Sequence, residues 1–314
     1  MVPRILKFGL IAGALSACTL ADPDARSPNP TPVALPLPSA QPFVPSQQSE
    51  AIAKYYSNLQ ADLLVQDLLR TDGGGPDSPY TSTMLARNFE RIAFYDEHQI
   101  GARLEASDGG ARRLARWTAP IRVKIEFGPS VSDNQRQEDK ATVQAFVSRL
   151  SGITGHPMRV SPMRSNFHVL VIGEDDRTAM QPRFAALLPN LSRINQSLLQ
   201  NLPRDMHCLI IVNHADGPMP TIQSAVAIVR AEHPDLLRKS CFHEEIAQGM
   251  GLMNDSDQAR PSIFNDDDEF AYLTSHDEKL LQMLYDPRLN IGMSATEARP
   301  IVNEMALALT AESL

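Results

Sequence analysis

Apolar residues are spaced in two different ways along this chain. In residues 49–70, Ile52, Tyr55, Tyr56, Leu59, Leu63 and Leu68 fall on one broad helical face. That spacing predicts one amphipathic helix, with Ser49 as its N-cap. Asp72-Gly73-Gly74-Gly75-Pro76 closes it. A second helical repeat runs over 82–94 through Met84, Leu85, Phe89 and Ile92, whereas 96–110 has no clear period. From Trp117 onward the pattern changes. Ile121-Arg122-Val123-Lys124-Ile125-Glu126-Phe127 alternates and predicts a half-buried strand. Residues 167–172, 208–212 and 222–229 are short apolar blocks, as in strands covered on both faces, and 158–160 is a shorter one. Helical spacing over 133–150 places Val143, Phe146, Val147 and Leu150 on one face. A helix over 178–199 is expected to break at Pro182 and Pro189. The last strand leads into a helix over 234–252, then one over 275–285 capped by Thr274, then a tail helix over 296–311.

The first residues do not belong to this pattern. Arg4 and Lys7 precede a short apolar run, and Leu15-Ser16-Ala17-Cys18 follows. The run is too short to span a bilayer and has the layout of an export signal. Small residues before a cysteine resemble the lipobox of bacterial lipoproteins, which implies a signal peptide over 1–17 and a lipid on Cys18. Thr19, in place of Asp, points to the outer membrane and a periplasm-facing domain. Residues 18–48 are rich in proline, which excludes helix or sheet interior and predicts an extended tether. In an oxidising compartment the two remaining cysteines, Cys208 and Cys241, either pair or stay as buried thiols; the pair is the expectation.

With 314 residues, a net charge of −8 and no basic cluster, the chain has no footprint for a nucleic-acid partner. There is no nucleophile elbow, phosphate loop, dinucleotide fingerprint or C-x-x-C pair.

Candidate chemistry is concentrated in Ser240-Cys241-Phe242-His243-Glu244-Glu245-Ile246-Ala247-Gln248-Gly249-Met250-Gly251-Leu252-Met253-Asn254-Asp255. A zinc helix needs histidines at i and i+4 with Glu at i+1. From His243 the i+4 residue is Ala247, so that frame fails. One residue on, Glu244, Gln248 and Asn254 occupy the three ligand places, Glu245 the general-base place and Gly251 the turn. Asp255 follows directly. Any metal held by Glu244, Gln248, Asn254 or Asp255 would be oxygen-ligated, so zinc is not assumed. His243 lies about 100° off that face and is expected to cap, pack or pair. The acidic run Asn265-Asp266-Asp267-Asp268-Glu269 lacks the glycine of an EF-hand loop.

The element order, with a Thr274-Asp277-Leu284-Tyr285 helix after the central one, is similar to a metzincin-type (zincin) catalytic domain. Other residues resemble a bacterial lipoprotein family, the domain of unknown function numbered 2927. They are Arg116-Trp117 before Pro120-Ile121-Arg122-Val123, Glu244-Glu245-Ile246-Ala247-Gln248, Gly251-Leu252-Met253-Asn254-Asp255, Pro261-Ser262-Ile263-Phe264-Asn265-Asp266 and Leu284-Tyr285-Asp286-Pro287. The resemblance covers about residues 85–293. The expected fold is α+β: a zincin-like mixed sheet with a central ligand-type helix and a C-terminal helix over 117–292. A helical segment over 49–116 precedes it, and a tail over 293–314 follows. The expected function is a lipid-anchored envelope protein whose degenerate cleft binds a peptide or envelope partner. The alternative is a peptidase-like hydrolase with Glu245 as general base and an unconventional oxygen-ligated metal.

Overall fold

A computed structural model describes residues 43–95, 98–100, 104–106, 110–215 and 219–311, all within one compact unit that begins at Phe43. The expected signal peptide, Cys18 and most of the expected tether lie outside the described residues.

The first helix, α1 (Gln47–Val65), starts two residues before the expected place, because Ser46 rather than Ser49 is the cap: the Ser46 hydroxyl accepts from the Ser49 amide. It also stops earlier than expected. Asp67 and Leu69 adopt positive φ, and Leu69 and Arg70 donate their amides to the Asp268 and Glu269 carbonyls. Helix α2 (Ser82–Ala93) follows, capped by Thr81. The segment of no clear period contains a small antiparallel hairpin, β1 (His98–Ile100) with β2 (Leu104–Ala106).

The main sheet has six strands: β3 (Arg116–Trp117), β4 (Ile121–Phe127), β5 (Met158–Val160), β6 (Phe167–Ile172), β7 (Cys208–His214) and β8 (Thr221–Arg230). From one edge the order is β5, β4, β6, β8, and these neighbours are all parallel. Strand β3 pairs in parallel with the start of β8, and β7 pairs with β8 antiparallel. The mixed sheet is therefore present and largely parallel, with helices on both faces, a mixed α/β arrangement rather than segregated α and β parts.

Neighbouring residues on the strands alternate between two cores. Val169, Val171, Ala225, Ala227 and Val229 face α2, α3 (Asp133–Thr154), α6 (Asp235–Gln248), α7 (Ser275–Tyr285) and α8 (Ala295–Ala311). Leu170, Ile172, Val226 and Ile228 face α4 (Arg177–Leu187) and α5 (Arg193–Gln200). This is why a strand such as β6 is buried at every position, with His168 its one polar residue: both faces are covered. The tail helix α8 joins the larger core through Ala298, Val302, Met305 and Ala306. Among the described residues no helix is long and apolar enough to cross a membrane.

Helix α6 runs through the middle of this core, and its C-terminal turn is held from three sides. The Trp117 indole donates to the Gly249 carbonyl at 2.8 Å, the Tyr285 hydroxyl to Met250 at 3.0 Å and the Arg112 guanidinium to Gly251 at 2.8 Å. Arg116 in turn donates to the carbonyls of Leu284, Asp286 and Leu289. Gly251 has φ 127°, and a Cβ there would lie 2.7 Å from the Ala115 carbonyl oxygen, so the chain reverses at the one residue that fits. The helix consequently ends at Gln248, earlier than the spacing predicts.

Trp117→Phe keeps the ring but removes the donor, leaving a buried carbonyl without its indole partner. We expect it to lower unfolding free energy by roughly 1–3 kcal/mol, read as a shift in urea midpoint with the m-value unchanged. An unchanged midpoint would show that the indole bond does not secure the turn.

Candidate functional site

Helix α6 is buried almost all round, so its polar side chains must find partners inside the protein. Arg238 donates to Asp139, to Asp235 and to the His233 carbonyl at 2.7–2.8 Å. Burial is the main influence on Asp139 and raises its pKa, against the pull of Arg238. His243 is sandwiched between Phe146 and Tyr272, with ring centroids 4.0 and 4.6 Å away. Its Nδ1 accepts the Leu273 amide at 3.0 Å. Burial, with Arg149 nearby, lowers its pKa to about 3. His243 is thus a neutral core residue that fixes the backbone before α7, in keeping with the expectation that it packs and pairs. His276 is also buried, against Asn88, with Nε2 3.1 Å from the amide nitrogen.

Glu244, Glu245, Gln248 and Asp255 converge on one open cleft of about 640 Å³. That volume lies within the ordinary range for ligand sites. One wall is α6 and a second is formed by Met206, His207, Cys208, Leu209 and Ile210. The floor and far side come from the chain after α6, through Asp255, Ile263, Asn265, Asp266, Asp268 and Phe270. Glu245 is 4% exposed and Glu244 half-buried, so the cleft reaches one carboxylate at its base and one on its wall. Gln248 donates to Asp255 Oδ1 at 3.1 Å, closing the end of the helix onto the following loop. Asn254 is the one member of the set that does not line the cleft. It is buried and donates to the carbonyls of Arg91 and Asp255, which holds the turn.

Cys208 and Cys241 form a disulfide with Cα atoms 5.9 Å apart, joining β7 to α6. The bridge fixes the two cleft walls relative to each other. Ligand atoms of Cys208, Glu244 and Glu245 lie within 4.8 Å of one another. The cysteine sulfur is in the disulfide, however, and a disulfide sulfur carries no thiolate charge for a metal. What remains is an all-oxygen donor set, suited to a hard cation and unsuited to zinc.

Spacing alone does not reveal the far wall. The acidic run stands out in the sequence, but its members separate in space. Glu269 accepts from Arg70 and Arg260 and is taken up by them. Asp267 accepts from Asn265 and from the Glu269 amide. Asp266 and Asp268 line the cleft. Burial is the main cause of the raised pKa of Asp268, with His207 opposing it. Asp205 and His207 carry no signal in the sequence beyond standing just before a buried strand. Burial lowers the pKa of His207, which packs edge-on against Tyr56 and His233.

His243 makes the fold acid-sensitive in a definite direction. The unfolded chain takes up the proton near pH 6.5 and the folded chain only near 3. Its contribution is therefore complete above about pH 6.5 and is lost as pH falls toward 3. Between pH 7 and pH 4 this amounts to roughly 3 kcal/mol. His243→Phe should flatten the fall in urea midpoint over that window, while lowering stability at pH 7 by about 1–3 kcal/mol because the Leu273 amide loses its acceptor. Parallel pH profiles for the two proteins would exclude His243 as the source.

Neither the curated proteins nor the solved structures contain a match to this chain. A family model, Protein of unknown function (DUF2927), matches residues 82–304, more than two thirds of the sequence. The match takes in α2, the whole main sheet, both walls of the cleft and most of α8. The chain with this cleft therefore belongs to the DUF2927 family.

Proposed function

We propose that this is a lipid-anchored protein of the cell envelope whose cleft beside α6 holds a peptide or envelope partner without hydrolysing it. One observation carries the proposal. Glu244, Glu245, Gln248 and Asp255 meet in an open cleft, while the only histidine of α6 is turned into the core. The cleft has the access and depth of a binding site, but its donor set does not suit a zinc hydrolase. Further support comes from the zincin-like order of elements, in which a central helix follows the last sheet strand, turns at Gly251 and is succeeded by α7. The anchor is proposed from Leu15-Ser16-Ala17-Cys18, and the outer membrane from Thr19.

A second reading rests on the closeness of Glu244 and Glu245. In it, Glu245 acts as general base and a cation on the neighbouring oxygens polarises water or a carbonyl. Glu245 would move the proton; Glu244, Gln248 and Asp255 would hold the cation.

Metal analysis and a peptide-library digest separate the two readings. The first expects zinc well below one per chain and no cleavage. Stoichiometric zinc that is lost in Glu244→Gln or Gln248→Ala would sink it. Cleavage that Glu245→Gln lowers by about 100-fold or more would establish the hydrolase instead. For the anchor, Cys18→Ala should move the protein from the membrane fraction to the soluble envelope fraction. Retention of the variant in the membrane would remove the lipid from the proposal.

A further inference from the structure

Two strands at one edge of the main sheet carry basic residues on a single face. Ile121, Val123 and Met158 pack into the larger core, so Arg122, Lys124 and Arg159, at the alternate positions, point to the other face. Helices α4 and α5 cover that face through Leu170, Ile172, Leu209, Ile211, Val226 and Ile228, which belong to β6, β7 and β8. No residue of β4 or β5 takes part in that contact. The face of these two strands is left open, bordered by Arg183 of α4, which reaches Glu126. In register, Arg122 lies opposite Arg159, and Lys124 opposite His168. The Arg122 guanidinium donates to the carbonyls of Arg164 and Pro120, which orient it without cancelling its charge. Arg159 and Arg164 are exposed. Among the described residues, the one carboxylate that pairs with any of these side chains is Glu126, and Lys124, Arg183 and His168 share it.

Arg122, Lys124, Arg159, Arg164 and Arg183 thus stand around a single carboxylate, and residues 154–173 and 177–204 contain no Asp or Glu. In a chain of net charge −8, the fold assembles a patch of the opposite sign from two strands, a loop and a helix. We propose that this open face rests on an anionic lipid surface, its guanidinium and ammonium groups meeting headgroup phosphates. The occupant is a bilayer rather than one polyanionic chain because the cations are spread over a sheet face and its rim, not lined up in a groove. Met163, 74% exposed, adjoins Arg164 at that rim. An apolar residue beside basic ones is the pattern of an interfacial contact. Like charges set opposite each other, as in Arg122 and Arg159, repel and cost stability, and headgroup phosphates would offset that cost. The choice of a lipid surface rests on the reading of the chain as membrane-anchored: a proline-rich tether ahead of Phe43 would let the domain turn this face to the bilayer. The contact orients the domain and is reversed by salt, which a lipid on Cys18 would not be.

The test uses the full-length Cys18→Ala protein, so that no attached lipid contributes. It is mixed with vesicles of phosphatidylcholine, either alone or with about 30% phosphatidylglycerol. Cosedimentation should show binding to the anionic vesicles at least about tenfold tighter than to the neutral ones, falling as salt is raised. Arg159→Glu combined with Arg164→Glu should weaken that binding about tenfold or more. Lys54→Glu combined with Arg87→Glu makes the same change of net charge at exposed positions of α1 and α2, and should weaken it less than about threefold. Hydrogen exchange should show the anionic vesicles slowing exchange across residues 158–166. No preference for the anionic vesicles, equal loss in the two double variants, or protection confined to other segments would each overturn the inference. Binding of soluble polyglutamate or of a DNA duplex without binding to vesicles would assign the face to another class of partner and overturn it as well. Absence of a lipid on Cys18, read by mass spectrometry of the wild-type protein, would sink the anchor and leave the vesicle measurements unaffected, so the two failures are distinguishable.

Discussion

The rest of the structure depends on how one helix ends. Helix α6 lies in the core, and the turn that closes it presents carbonyl groups that water cannot reach freely. Such groups must be met by protein donors or the helix end is costly to bury. Three donors from two parts of the chain meet them: Arg112 and Trp117 from around β3, and Tyr285 from α7. Burial raises the pKa of Tyr285, so its hydroxyl stays protonated and keeps donating. Trp117 is buried and Arg112 and Tyr285 are half-buried, and each is bonded to backbone, which holds the end of α6 in place. Glu245 and Gln248, in the last turn, inherit that position.

The other walls of the cleft are set against this fixed helix by different means. The Cys208–Cys241 bridge holds β7 to it covalently. The loop carrying Asp266 and Asp268 is held from outside, where Leu69 and Arg70 bond its backbone and Arg70 and Arg260 engage Glu269. Asp268 and Leu69 both sit at positive φ in that contact, a conformation costing about 1–2 kcal/mol for a residue with a side chain. The surrounding bonds hold both residues there. The segment after α1 is thus part of the site although it touches none of the cleft: it keeps the acidic loop facing α6.

Much of this was legible in the sequence, and what was not has a physical reason. The strands and helices follow their apolar spacing, because central strands such as β6 are covered on both faces and β4 is half-buried, while most helices bury one face and α6 nearly all of its surface. Apart from Glu244–Gln248 and Asn254-Asp255, the short stretches quoted for the family resemblance carry no chemistry in sequence. In space, Arg116-Trp117, Gly251 and Leu284-Tyr285 form the anchor of α6, and the 261–265 stretch is bonded to Asp277 at the start of α7. They are far apart in the chain because the anchor is built across elements. The role of Glu244, Glu245 and Gln248 as one face was readable from helical spacing. Asn254 falls at the third ligand place of the frame, with shaping of the turn as its other reading, and its side chain bonds the Arg91 and Asp255 carbonyls. The contribution of β7 was hidden, since no local pattern shows that Cys208, Leu209 and Ile210 line a cleft.

The missing histidines also change what the cleft demands of a ligand. A histidine set presents neutral nitrogen and would select a metal by geometry. A carboxylate set presents charge, and like charges within a few ångströms repel unless something offsets them. In this cleft Glu269 is paired from behind with arginines, while Asp266 and Asp268 line the same space as Glu244 and Glu245. Water screens part of the repulsion because the cleft is open. The bridge and the backbone strap hold the walls that carry these carboxylates in place.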